Sequence, residues 1–222
     1  MPRDDIAFLH TAHVHVATFD ALLQAQAPGL KAHHVVDEAL LADAQRLGTA
    51  DPTLQARVHA AMQAAAAGGA RQVVCTCSTL GALAEGMATS GAFEAARIDR
   101  ALADRAVQQG PRVLVVVALA STLAPTQALL ADSAARLQRA ITLVPLHVDG
   151  AWAHFERGDR DAYLAAIAGA VRAHAAGADV VVLAQASMAA ATEMLKDLPI
   201  DVLSSPSLGV AAAVERWRLH AA

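Results

Sequence analysis

The chain has few aromatic side chains, four Phe, two Trp and one Tyr among 222 residues. With so few rings, and with Lys and Arg scattered rather than clustered, it offers neither a stacking platform for bases nor a basic track for a phosphate backbone. Charge is nearly balanced, 17 Lys and Arg against 21 Asp and Glu. No nucleic acid and no anionic membrane surface is therefore expected as a partner. No apolar run approaches the roughly 20 residues that a membrane span needs. The opening MPRDDIAFLH is acidic where a secretory leader is basic, so a cytoplasmic location is expected. GxGxxG and P-loop patterns are missing, and no cofactor is expected. Cysteine is scarce too: Cys75 and Cys77 stand one residue apart, a poor geometry for a mutual disulfide on a strand. Free thiols in a reducing compartment are the expectation.

Aliphatic residues are what the chain has in quantity. At 55% hydrophobic it can fill one large core or two small ones. Short β-branched runs alternate with longer alanine-rich stretches of helical period, the pattern of βα units around a parallel sheet. Strands are predicted at 6–10, 32–36, 72–77, 112–118, 141–147, 179–184 and 200–203. Runs such as VLVVVALA are apolar on both faces, which requires helices on both sides. Helices are predicted at 17–26, 37–48, 52–67, 80–89, 98–109, 125–139, 159–175, 188–196 and 207–220, with Pro52, Pro125 and Pro206 near helix starts. VVCTCSTLG and DVVVLAQASMA, about a hundred residues apart, both run from an apolar strand into a hydroxyl-bearing turn and then a helix. This echo suits two similar α/β lobes.

In parallel sheets the ligand site lies at the C-terminal strand ends, where helix N-termini present unpaired N–H groups. Those ends carry His10 and Thr11, then Cys77, Ser78 and Thr79, then Ser121 and Thr122, then Gln185 and Ser187, and finally Ser204 and Ser205. Hydroxyls and amides of this kind make a cradle for carboxylate or carbonyl oxygens. Each Ser or Thr also suits a helix N-cap, a reading that explains one such residue better than five. A thiol just before a helix N-terminus has its thiolate favoured, so Cys77 can act as a carbon-acid base or a nucleophile; the other reading is a buried, inert side chain. Cys75 lies deeper on the same strand and reads as core packing. His10, His13 and His15, with Asp37 or Glu38, raise a metal reading, but no second ligand motif completes it, and the adjacent His33 and His34 face opposite ways on a strand. His10 is expected as a polar contact in the site.

These motifs resemble the aspartate/glutamate/hydantoin racemase superfamily. VVCTCSTLG is similar to its first cysteine motif, an apolar strand ending in Cys-Asn-Thr, with Cys77, Ser78 and Thr79 at the matching places. IAFLHT is similar to its opening strand ending in Asp-Ser, with His10 and Thr11 there. VVDEALL, STLAPT, LAQASMA and LSSPSLGV resemble one branch of the superfamily, with a single active-site cysteine. The second cysteine of the racemases follows a strand as Leu-Gly-Cys; here that place reads Leu183, Ala184, Gln185. The resemblance implies an α/β fold of two Rossmann-like lobes with parallel four-stranded sheets. They would comprise 1–105 with 206–222 and 106–205, with the site in the cleft between them. It implies a cofactor-independent isomerase or racemase acting at a carbon adjacent to a carboxylate, with Cys77 as acid/base and Gln185 or Ser187 positioning a water. His10, Thr11, Ser78, Thr79, Ser121, Thr122 and Ser205 would bind a small-molecule carboxylate substrate. A cofactor-independent lyase, such as a decarboxylase of a substituted malonate, and a non-catalytic carboxylate-binding protein stay open as alternatives. Alanine-rich helix faces leave a homo-oligomer open as well.

Overall fold

The computed structural model describes residues 5–221, in which strands and helices alternate as the hydrophobic pattern requires. Strands β1 (Ile6–His10), β3 (Gln72–Cys75) and β7 (Val180–Leu183) are buried at every residue, and β5 (Arg112–Val117) at all but its first. Strands that are apolar on both faces belong at the centre of a covered sheet, and that is where these four lie. One sheet runs β2-β1-β3-β4, with β2 (Ala32–Val36) and β4 (Glu94–Arg97) at its edges. The other runs β6-β5-β7-β8, edged by β6 (Thr142–His147) and β8 (Asp201–Ser204). Every pairing is parallel. Counted within its own sheet, each order is 2-1-3-4. The strand order reverses between the first and third strands of each, which is where a crevice opens above the strand ends.

The chain divides into two compact units, Met1–Asp99 with Pro206–Ala222, and Arg100–Ser205. The first holds the β1–β4 sheet with α1 (Val14–Gln26), α2 (Ala39–Leu47), α3 (Pro52–Ala66) and α4 (Gly81–Glu85). Its β1 sends Ala7 and Leu9, beside Val73 and Cys75 of β3, against Leu54, Val58 and Met62 of α3. From the opposite face Phe8 and His10 meet Phe19 of α1, each with ring centroids 5.3 Å apart. Helix α3 starts cleanly because Asp51 accepts from Thr53 N–H and Leu54 N–H, at 2.8 and 3.1 Å, and Pro52 takes a position whose N–H needs no partner. The closing helix α10 (Ser205–Ala221) returns to this unit: Gln26 Nε2 donates to Ser207 O at 3.2 Å. Gly209 sits so close to Ile98 that a Cβ there would lie 2.2 Å from its carbonyl oxygen, which is why only glycine serves.

The second unit holds the β5–β8 sheet with α5 (Arg100–Gln109), α6 (Leu123–Arg136), α7 (Ala151–Glu156), α8 (Arg160–His174) and α9 (Ala191–Met194). Leu114 and Val116 of β5 and Val181 and Leu183 of β7 pack with Tyr163, Ile167 and Val171 of α8. Helix α5 packs on α6, β7 and β8 and so lies wholly in this unit.

Two elements depart from the sequence reading. The segment EAAR, of helix-forming composition, is strand β4, because Val73↔Ala95 and Cys75↔Arg97 pairing in a covered sheet outweighs local preference. Helix α7 was not expected either; it follows Gly150, whose φ of +75° supplies the turn. Among the described residues no helix is long and apolar enough to cross a membrane.

Candidate functional site

Strand β3 ends at Cys75, and pairing reaches one residue further, Thr76 N–H donating to Leu9 O at 2.9 Å. The chain then leaves the sheet in a turn, closed by Leu80 N–H to Cys77 O at 3.1 Å. Cys77 is therefore lifted above the sheet at the β1/β3 switch point and is partly exposed, while Cys75 is wholly buried in the core. Both thiols are free. Burial pushes Cys75 far above the ordinary thiol range, which removes it from chemistry near neutral pH.

Three donors converge on Cys77 Sγ: the Thr11 hydroxyl from the end of β1, and the backbone N–H groups of Leu80 and Thr79. They favour a thiolate, yet burial outweighs them, and the Asp99 carboxylate acts in the same sense, so the Cys77 thiol titrates above its usual range. The expectation that a helix N-terminus favours the thiolate is thus corrected. Helix α4 begins only at Gly81 and is five residues long, too short and too far along the chain for its dipole to prevail.

The sequence reading missed the charges beneath this turn. Arg97 and Asp99, whose side chains are 3% and 2% exposed, form a bidentate pair, Nε to Oδ1 at 2.6 Å and Nη2 to Oδ2 at 3.1 Å. Arg97 Nη2 also donates to Ser78 O at 3.4 Å. Gly81 lies on the guanidinium, where a Cβ would sit 2.6 Å from Arg97 Nε. The Arg-Ile-Asp triplet beginning at the last residue of β4 was the available signal, but it is legible only once 94–97 is read as a strand.

His10 is wholly buried. Its Nδ1 meets Thr76 Oγ1 at 2.8 Å and its Nε2 meets His34 Nδ1 at 2.8 Å, so both ring nitrogens are engaged by the protein. Thr11, the next residue, is the one that reaches Cys77. Burial, with His34 and His15 nearby, pushes His10 down to about 3. A histidine depressed in the folded state lets the unfolded chain take up the proton first. Its contribution is complete above the unfolded value of about 6.5 and declines as pH falls towards about 3, by at most ~1.4 kcal/mol per pH unit. Urea unfolding is expected to show this acid loss in the wild type and a shallower one in His10→Asn; parallel losses would discount it. Among the described residues no three His, Cys, Asp or Glu are placed to share a metal ion.

In the second unit Gln185 stands two residues past the end of β7, as Cys77 stands two past β3. Its Oε1 accepts from Ala118 N–H at 2.7 Å and Leu119 N–H at 3.0 Å, tying the ends of β7 and β5 together. Gln185→Leu is expected to cost about 1–3 kcal/mol, by leaving buried N–H groups unsatisfied, with Gln185→Glu retaining more; equal denaturation midpoints for wild type and leucine variant would overturn this. Ser187 Oγ bonds the hydroxyl of buried Tyr163 at 2.8 Å, a partner the sequence reading did not foresee. Burial lifts that phenol to about 12. Ser121 Oγ and Ser205 Oγ are buried with no hydrogen-bond partner. Thr122 precedes α6 without a side-chain cap bond, and α1 and α4 have none either. For these helices, the simple N-cap reading of the strand-end hydroxyls does not hold.

Two 2-1-3-4 parallel sheets with interleaved helices make an α/β fold found among solved structures. Aspartate racemase of Picrophilus torridus aligns over 96% of this chain and 94% of its own, with a TM-score of 0.72 at 13% identity. Allantoin racemase of Pseudomonas fluorescens aligns over 97% and 92%, with 0.62 at 18%. A mutant of arylmalonate decarboxylase, in a sulfate-associated form, aligns over 96% and 93%, with 0.59 at 17%. The chain shares its two-sheet α/β fold with these structures. No family model and no curated protein matches it.

Proposed function

We propose that this chain is a cofactor-independent isomerase or racemase acting at a carbon adjacent to a carboxylate, with Cys77 as the acid/base. The supporting observation is the convergence on one thiol of the Thr11 hydroxyl and the Leu80 and Thr79 N–H groups at a sheet's switch point. A proton leaving such a carbon drives its electron pair onto the carboxylate as an enediolate, which is costly unless fixed donors meet the new charge. Thr11 after β1, with Ser78 and Thr79 of the turn after β3, are the donors proposed for that charge; losing one such donor typically costs about 3–4 kcal/mol in rate terms. Cys77 takes the proton as thiolate and returns it as thiol. The fold of racemases supports the class of reaction; the small carboxylate partner and the cytoplasmic setting, suited to two free thiols, belong to this proposal.

A second reading is favoured by the burial of the Cys77 thiol, which raises its pKa and so favours the protonated form. A decarboxylase needs no proton removed. Carbon dioxide departs, the enediolate remains, and Cys77 supplies the proton to carbon. Incubation with α-substituted carboxylates and substituted malonates in deuterated water, followed by NMR, separates the two. Cys77-dependent α-deuteration or isomer formation is the expected result; carbon dioxide release moves the assignment to the lyase. Thermal stabilisation by carboxylates without any product would overturn both in favour of a binding protein.

A further inference from the structure

A string of polar side chains crosses the first sheet just beneath Cys77. Thr76 Oγ1 donates to Leu9 O at 3.1 Å and meets His10 Nδ1 at 2.8 Å. His10 Nε2 meets His34 Nδ1 at 2.8 Å, and His34 Nε2 meets Asp20 Oδ1 at 3.0 Å. The string links β3, β1, β2 and α1. Two of its members are followed directly by the site: Thr76 by Cys77, and His10 by Thr11, whose hydroxyl bonds the Cys77 sulfur. We propose that Asp20, His34, His10 and Thr76 are positioning residues for the Thr11–Cys77 pair, and that losing one proton from the string reverses its hydrogen bonds up to the strand ends.

The argument is one of donors and acceptors. When Thr76 donates to Leu9 O, its oxygen accepts from His10 Nδ1–H. A neutral His10 then has a bare Nε2, which accepts from His34 Nδ1–H. Asp20 as carboxylate accepts from His34 Nε2–H. Every bond is made only if His34 carries protons on both nitrogens, its charge facing that of Asp20. Remove one proton and the order turns over. His34 keeps Nε2–H for Asp20, so its Nδ1 accepts from His10 Nε2–H. The bare Nδ1 of His10 accepts from the Thr76 hydroxyl, which must leave Leu9 O. One proton more or less thus selects the His10 tautomer and the direction of the Thr76 hydroxyl. The titratable groups facing His10 are His34 from β2 and His15 from α1, whose ring centroid is 6.3 Å away and which burial also disfavours as a cation. Asp20 faces the far side of His34, its side chain 55% exposed. None of this depends on which reaction Cys77 performs.

Asp20→Asn is the discriminating variant, and its exposure makes it safe for folding. An amide can turn its NH2 towards His34 Nε2, so the arrangement that keeps every bond, including Thr76 to Leu9 O, persists without a charge. Long-range proton–nitrogen NMR of imidazole-labelled protein between about pH 5 and 9, the span over which histidines change charge, reads the tautomers. Iodoacetamide alkylation of Cys77 over the same range reads the site, with Cys77→Ala as control. In the wild type His10 is expected to pass from Nδ1–H to Nε2–H, and the alkylation profile to show an inflection at the same pH. In Asp20→Asn His10 stays Nδ1–H throughout and that inflection is lost. A single His10 tautomer across the range in the wild type, or the same switch and inflection in Asp20→Asn, overturns the proposal.

Discussion

Cys77→Ala is expected to lower turnover by about 10² to 10⁴-fold, the usual contribution of a positioned acid/base group, with little change in thermal stability. The two readouts separate because Cys77 packs at the edge of the core and is only partly buried, so truncation opens no large cavity. Cys77→Ser tests the chemistry more finely. A hydroxyl accepts the same Thr11, Thr79 and Leu80 contacts but is a far weaker acid than a thiol, so it should bind substrate and fail to turn it over. Because the thiol is pushed up, wild-type reactions that need the thiolate should quicken with pH beyond the point where a free cysteine, near about 8.5, has levelled off. Steady-state kinetics of the three proteins from neutral to alkaline pH checks both points. Undiminished turnover in Cys77→Ala would remove this residue from the mechanism.

The largest effect on stability is expected at Arg97 and Asp99. Arg97→Ala or Asp99→Ala leaves a buried charge without its partner, which typically costs about 3–5 kcal/mol. The pair holds no solvent-facing side chain, so water cannot replace the lost partner without opening the turn that carries Ser78 and Gly81. Replacing both together, Arg97→Met with Asp99→Leu, removes both charges and should cost markedly less than either single change. Urea unfolding of the four proteins measures this. A double variant no more stable than either single variant would show that the two charges do not compensate one another.

The strands of both sheet centres were legible in the sequence because a strand covered on both faces must be apolar at every position, and nothing else in a short run looks like VVVL or VLVVV. β1 and β2 came out residue for residue. The place of Cys77 near a strand end was legible for the same reason, although the strand expected over 72–77 stops at Cys75 and leaves Cys77 in the turn beyond it. Strand β4 was not legible. EAAR is alanine-rich and charged, and only its neighbour β3 makes it extended. With β4 unread, nothing along the chain marked Arg97 and Asp99 as a buried pair beside the candidate site. Gln185 was legible as a residue at a strand end, but not as the clamp on Ala118 and Leu119 N–H, since the partners lie 67 and 66 positions away in the chain.

What the sequence determined by itself was therefore whatever depends on neighbours along the chain: the βα alternation, the apolar strand cores, the helix starts at Asp51-Pro52, and the single thiol left outside the core. Tertiary structure alone decided what depends on neighbours in space. It enclosed His10 between Thr76 and His34, buried one ion pair, and raised the Cys77 thiol where local donors would lower it. Desolvation is a property of everything packed around a group, and no pattern within a few residues of Cys77 or His10 records it.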